Sequence, residues 1–124
     1  MPRILIVDDA PPILMMLSKL LAEEGHEVAT AKHGEEAVGL LEDRPFDLMI
    51  SDLNMRPVNG AELLLKTRKA YPKMGFILLT AYESMFTADE AKKNGAFAYI
   101  VKPFKNAHLL ETVQCALEHY GVPA

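Results

Sequence analysis

The sequence predicts a doubly wound α/β domain, with a five-stranded parallel sheet covered by helices on both faces. Three observations predict it. The runs Ile4–Val7, Leu48–Ile50 and Phe76–Leu79 are apolar at every residue and too short to be helices. Strands of that kind are buried on both faces, which a helix-covered parallel sheet provides. Between them, segments of helical spacing alternate with strand-like ones, giving βαβαβαβαβα with short connections and right-handed crossovers.

The first strand, Ile4–Val7, stops on Asp8-Asp9, and Pro11-Pro12 open a helix whose first turn tolerates a missing N–H. From Ile13 to Glu24, Leu14, Leu17, Leu20 and Leu21 form the inward stripe and Gly25 supplies the stop. Met15 points away from that stripe, while Ile13 and Met16 lie at its edges. Glu27–Ala31 is a modest, alternating strand. A short helix over Glu35–Asp43 carries Ala37, Val38 and Leu41 inward and ends near Pro45. The run at 48–50 terminates on Asp52, followed by a loop containing Asn54, Pro57, Asn59 and Gly60.

A helix over about Ala61–Ala70 uses Leu63, Leu64 and Thr67, and Pro72 and Gly75 bracket the turn into Phe76–Leu79, which ends on Thr80. The segment Glu83–Asn94 is the weakest helix, with Phe86, Met85 and two small alanines inward. So little apolar burial makes it cheap to shift. Gly95 closes it. Phe97–Val101 is the fifth strand, ending on Lys102-Pro103, and Asn106 is expected to cap a final helix to His119 that buries Leu109, Leu110, Val113, Ala116 and Leu117.

The 124 residues fit one domain, placed here over 1–121, with 122–124 as a tail or the start of a linker. A net charge of −4 with no dense Lys/Arg patch gives no electrostatic footprint for nucleic acid. One cysteine excludes an internal disulfide and a cysteine-rich metal site. No stretch approaches the roughly 18 apolar residues of a membrane span, and the amino-terminal run lacks the form of a secretory signal. The expected location is the cytoplasm.

The chemistry lies at the strand ends. Asp8-Asp9, Asp52, Thr80 and Lys102 all follow strands of a parallel sheet, whose carboxyl edge is where ligands collect. Three clustered carboxylates repel one another unless a cation sits among them, and oxygen-only ligands suit a hard ion such as Mg²⁺. A hydroxyl and an ammonium beside them suit phosphoryl oxygens, and a carboxylate in that setting is a plausible nucleophile. The residues themselves therefore read as a magnesium-dependent aspartyl-phosphate site.

Four matches occur in order, each at a strand end: Asp8-Asp9; Asp52 with Asn54, Met55 and Gly60; Thr80-Ala81; and Lys102-Pro103-Phe104. On these the chain resembles, over essentially its whole length, the receiver domain of bacterial two-component response regulators. The resemblance implies the flavodoxin-like strand order 2-1-3-4-5. It also implies a switch in which Asp52 accepts a phosphoryl group from a sensor kinase's phosphohistidine, or from a phosphotransfer protein, and loses it slowly by hydrolysis. Such a protein catalyses its own modification without being a conventional turnover enzyme.

By the same resemblance, Asp9 and Asp52 bind Mg²⁺ directly, with Mn²⁺ as a substitute, Asp8 binds through water, and the Asn54 carbonyl completes the protein ligands. Thr80, the Ala81 amide and Lys102 hold the phosphoryl oxygens, and Lys102-Pro103 is a cis bond. Thr80 and Tyr99 form the switch, and Asn54 and Tyr82 tune hydrolysis. Ile13, Met16, Pro103 and Phe104 are candidates for kinase docking. The face formed by residues 83–119 is expected to pair in a homodimer, and the output is a downstream protein or a fused domain.

Two departures stand out. The proline usually found four residues after the acceptor is replaced by Arg56 and displaced to Pro57, and Ala10 stands where another acid is common.

Plainer readings exist for each residue. Asp8-Asp9 alone could cap a helix, Asp52 alone could form a turn, and Thr80 could be an ordinary strand residue. None explains all four strand ends together. Tyr99 could be simple filling, Tyr82 a partly exposed tyrosine, and Ile13 and Met16 gap-fillers. Cys115 falls on the outer side of its helix, and the four histidines take no catalytic or metal role. Lys32, Lys66, Arg68, Lys69, Lys92 and Lys93 read as solvated charge.

Among rival classes, a flavin carrier would need a hydroxyl- and glycine-rich loop in place of Asp8-Asp9-Ala10-Pro11-Pro12. An aspartate-nucleophile phosphatase would need its second aspartate two residues after the first, and a cap region. A degenerate receiver acting only as an interaction module is the remaining alternative.

Overall fold

The computed structural model describes residues 1–53, 60–81 and 88–122. In chain order the elements are β1 (Arg3–Val7), α1 (Pro11–Glu23), β2 (Glu27–Ala31), α2 (Gly34–Asp43), β3 (Leu48–Asp52), α3 (Gly60–Ala70), β4 (Gly75–Thr80), α4 (Ala88–Lys93), β5 (Ala98–Val101) and α5 (Asn106–His119). The strands form one parallel sheet in the order β2-β1-β3-β4-β5, as the resemblance implies.

The continuously apolar strands are explained by a core split in two. Leu5 and Val7 of β1, Met49 of β3, and Phe76 and Leu78 of β4 face a cluster with Ala37, Leu41, Leu63, Leu64 and Ala91 from α2, α3 and α4. Their neighbours Ile4, Ile6, Leu48, Ile50, Ile77 and Leu79 face Leu14, Leu17 and Leu21 of α1 and Leu109, Val113 and Leu117 of α5. Period two survives, but both faces are dry. Leu20 and Leu110, expected inside, are only half-buried at the edge of this second cluster.

The helix ends show how local chemistry sets the boundaries. Prolines occupy the first turn of α1, and its N-cap residue, Ala10, offers no side-chain cap. Asp8 instead accepts the Ala10 N–H at 2.9 Å, a turn two residues long that leaves its carboxylate in the sheet edge. At α2, His33 Nδ1 accepts from the Glu36 amide while Glu36 reaches back to the Lys32 amide, a reciprocal cap.

Two further expectations are corrected. Asn106 does not cap α5; it is the first helical residue, because the hydrogen-bond ladder already starts from the Lys105 carbonyl. The weak helix is described over Ala88–Lys93, with Ala91 its buried residue, and its expected start at Glu83 lies outside the described residues. Met85 and Phe86 lie outside the described residues. Arg68 is not solvated surface charge. It donates to the carbonyls of Pro72 and Met74, stacks its guanidinium 5.5 Å from the centre of the Tyr120 ring, and fills the space beside Gly95.

Two glycines separate space from backbone conformation. A Cβ meets nothing within 4 Å at either Gly25 or Gly39, but Gly25 has φ +87° after α1, whereas Gly39 lies inside α2. Gly39→Ala is expected to raise stability by about 0.5–1 kcal/mol, through a less flexible unfolded chain and better helix propensity. Gly25→Ala should lower it by about 1 kcal/mol, because the left-handed conformation strains a Cβ. Urea unfolding of the two variants should therefore move the midpoint in opposite directions.

Candidate functional site at the carboxyl edge of the sheet

The parallel register brings the predicted strand ends to one edge. Val7 pairs with Ser51, Asp52 with Leu79, and Thr80 with Val101, so Asp8, Asp52, Thr80 and Lys102 leave the sheet at nearly one level. Asp8, Asp52 and Thr80 are all buried, the hydroxyl residue completely. Asp9 is exposed, and Ala81, directly after Thr80, is exposed as well.

Lys102 ties the edge together. Its Nζ lies 3.2 Å from Asp52 Oδ1 and 3.3 Å from Asp8 Oδ2, donating to both. β5 stands two strands from β3, about 10 Å away at the usual strand spacing of roughly 4.8 Å. Only a long side chain spans that gap, and it passes the end of β4, where Thr80 sits. The Lys102 amide also donates to the Thr80 carbonyl at 2.7 Å, continuing the ladder one residue beyond the strand. Lys102-Pro103 is cis, as the resemblance implies.

One ammonium cannot balance three carboxylates. Oxygen atoms of Asp8, Asp9 and Asp52 lie within 4.8 Å of one another. Burial pushes the Asp52 carboxyl above its ordinary value, the Lys102 charge and hydrogen bond pull it back, and Asp8 and then Asp9 push it further up. The donor set is all oxygen, half-buried, and open on the Asp9 side. Its chemistry fits a hard divalent cation, which would relieve the repulsion that raises Asp52.

The other predicted residues fall in distinct places. Tyr99 pairs with Leu78 and packs half-buried against the core on the α2, α3 and α4 side. Alternation along β4 puts Thr80 on that same side. Ile13 and Phe104 are half-buried against the α1 and α5 core, Pro103 is exposed, Met16 is 41% exposed and Met15 is 73% exposed. Cys115 is exposed, as expected. Asn54, Tyr82, Met55, Arg56 and Pro57 lie outside the described residues.

Sequence reasoning missed Ser51. It is a fully buried hydroxyl one residue before Asp52, and it donates to the Asp52 main-chain carbonyl at 3.0 Å. The available signal was a polar residue inside an otherwise apolar strand, overlooked because Asp52 beside it drew the reading. Among the described residues no helix is long and apolar enough to cross a membrane.

Comparison with known proteins agrees with this geometry. The model of the response regulator receiver domain matches residues 4–114. The transcriptional regulatory protein GlrR of Escherichia coli (strain K12) is 37% identical over 116 residues, which cover 94% of this chain and 26% of that protein. The chain thus spans about a quarter of the length of that curated relative. Among solved structures, the response regulator TrrA of Thermotoga maritima, crystallised with Mg²⁺ and BeF, superposes with a TM-score of 0.86 at 40% identity, covering 94% of this chain and 100% of the other. The beryllofluoride-activated NtrC4 receiver domain dimer superposes with a TM-score of 0.91 at 33% identity, covering 98% and 100%. A sheet edge carrying buried aspartates bridged by a lysine, on a fold matched along nearly its full length, assigns the chain to the family of response regulator receiver domains.

Proposed function

We propose that this chain is a phosphorylation-activated switch whose acceptor is Asp52. The observation that carries the proposal is the Lys102 bridge to Asp52 and Asp8 beside an all-oxygen acidic cluster. The phosphoryl donor is a phosphohistidine of a sensor kinase or phosphotransfer protein. An Asp52 carboxylate oxygen forms the new bond to phosphorus as the phosphorus–nitrogen bond breaks, and the imidazole departs with that electron pair. Lys102, the Thr80 hydroxyl and the Ala81 amide take the phosphoryl oxygens, whose charge replaces the carboxylate charge that Lys102 now faces.

Asp9 and Asp52 would hold Mg²⁺ directly and Asp8 through water, with the Asn54 carbonyl as a further ligand and Mn²⁺ as a substitute. When bound, the ion supplies positive charge for the phosphoryl oxygens. Water slowly hydrolyses the acyl phosphate, at a rate that Asn54 and Tyr82 tune. Movement of Thr80 toward the phosphoryl group draws Tyr99 inward and alters the face of α4, β5 and α5, through which two copies pair. NtrC4 supports that reading, as its activated receiver is a dimer.

Ile13, Met16, Pro103 and Phe104 form the kinase-facing surface. The receiver unit spans 1–121, and it works in the cytoplasm either alone or joined to an output domain.

Two outcomes are expected. Incubation with acetyl phosphate and Mg²⁺ should add one phosphoryl group by intact mass, and the adduct should be absent in Asp52→Ala and without Mg²⁺. A folded wild type that takes no phosphoryl group would overturn the proposal.

The second concerns stability. A raised carboxyl pKa means the folded state resists ionisation, so stability falls as pH rises from 3.8 through the folded value, and the penalty is complete above it. Asp52→Asn should therefore melt higher than wild type at pH 7 without Mg²⁺, with the gain shrinking as pH falls through that window. Added Mg²⁺ should raise the wild-type melting temperature and raise that of Asp52→Asn less.

A further inference from the structure

We propose that Ser51 and Gly60 are positioning residues for Asp52, both constraining its main-chain carbonyl; the inference rests on Asp52 being the phosphoryl acceptor. Asp52 is the last residue of β3, where the sheet ladder runs out and the direction of the peptide is least determined. Ser51 is completely buried in a strand whose other members before Asp52 are apolar. A buried hydroxyl is costly unless bonded, and here the Oγ donates at 3.0 Å to the Asp52 carbonyl.

Gly60 lies against the same carbonyl. A Cβ there would lie 2.8 Å from Leu53 Cα and 3.0 Å from the Asp52 carbonyl carbon, with the Asp52 oxygen nearer still. The obstructing atoms are backbone, so no rotamer change relieves them. The Gly60 amide donates to the Leu53 carbonyl at 3.0 Å, and the Leu53 amide donates to Leu79 at 2.8 Å. Held before and after, the Asp52 peptide has one orientation.

That orientation matters because the Asp52 side chain hangs from it by only two torsions, and its oxygen must stay 3.2 Å from Lys102. Donation from Ser51 also engages a carbonyl whose partial negative charge would otherwise add to an edge already crowded with carboxylates. The grip therefore acts on geometry and on charge, without either residue touching the phosphoryl group. Its signature is a slower chemical step with unchanged donor binding.

The test measures phosphorylation of the full chain by acetyl phosphate at saturating Mg²⁺, separating the maximal rate from the half-saturating donor concentration. Ser51→Ala, nearly equal in volume, should lower the maximal rate about tenfold while leaving the half-saturating concentration unchanged. Gly60→Ala should lower it further, toward the roughly hundredfold that a misplacement near 1 Å costs. The Asp52 carbonyl ¹³C resonance should shift in Ser51→Ala, reporting the lost hydrogen bond.

If Gly60→Ala does not fold, Ser51→Ala alone decides. A folded Ser51→Ala that matches the wild-type maximal rate overturns this inference and leaves Asp52 as acceptor. An inert wild type overturns both.

Discussion

The structure depends on a lysine shared between two buried carboxylates. Asp8, Asp52 and Lys102 leave three different strands, β1, β3 and β5, and nothing local in the chain brings them together. A like-charged pair beneath a single ammonium is not an arrangement that flexible side chains would adopt by themselves. The burial and acidic neighbours that raise Asp52 are imposed by the sheet. The parallel register, set by two dry cores of interlocking aliphatic side chains, supplies the free energy that holds the charges in place. The edge stays strained because the centre is not.

That division gives the site its chemistry. A carboxylate that is content in its surroundings, fully solvated or fully paired, has little reason to exchange its charge for a phosphoryl group. Asp52 is neither: it is buried, partly neutralised by Lys102, and crowded by Asp8 and Asp9. A divalent cation or a covalent change at Asp52 redistributes charge among groups that already touch. Thr80, Lys102 and Asp52 are directly linked, because the Lys102 amide bonds the Thr80 carbonyl while its ammonium bonds Asp52.

Much of this was legible in the sequence because strand ends are punctuated. Apolar runs stop where the sheet reaches its edge, so Asp8, Thr80 and Lys102 announced themselves as the first polar residues past their runs and Asp52 as the first charged one, and a parallel sheet has only one edge to put them on. What sequence reading missed depends on partners distant in the chain. Arg68 looks like surface charge until Tyr120, 52 positions later, is seen beneath it. Ser51 looks like a lapse in a strand until its hydroxyl is found on the neighbouring carbonyl. Asn106 has the right chemistry for a cap but stands one residue too late, because a cap is defined by where the ladder starts and not by residue type.

The two edges of the sheet are built oppositely, and this bears on how a signal would spread. At the amino edge, Arg68 knits the end of α3 to the carbonyls before β4, to the glycine turn before β5 and to the ring closing α5, where Tyr120 also packs against Gly75. Phe97, His119 and Tyr120 complete that knot with ring contacts between 4.9 and 6.5 Å. The ring contacts are short-ranged and lie far from the charge at the opposite edge. The carboxyl edge is held instead by ion pairs and by α4, a helix with one buried side chain among its described residues. A change in charge at Asp52 therefore works against weak restraints nearby and strong ones far away.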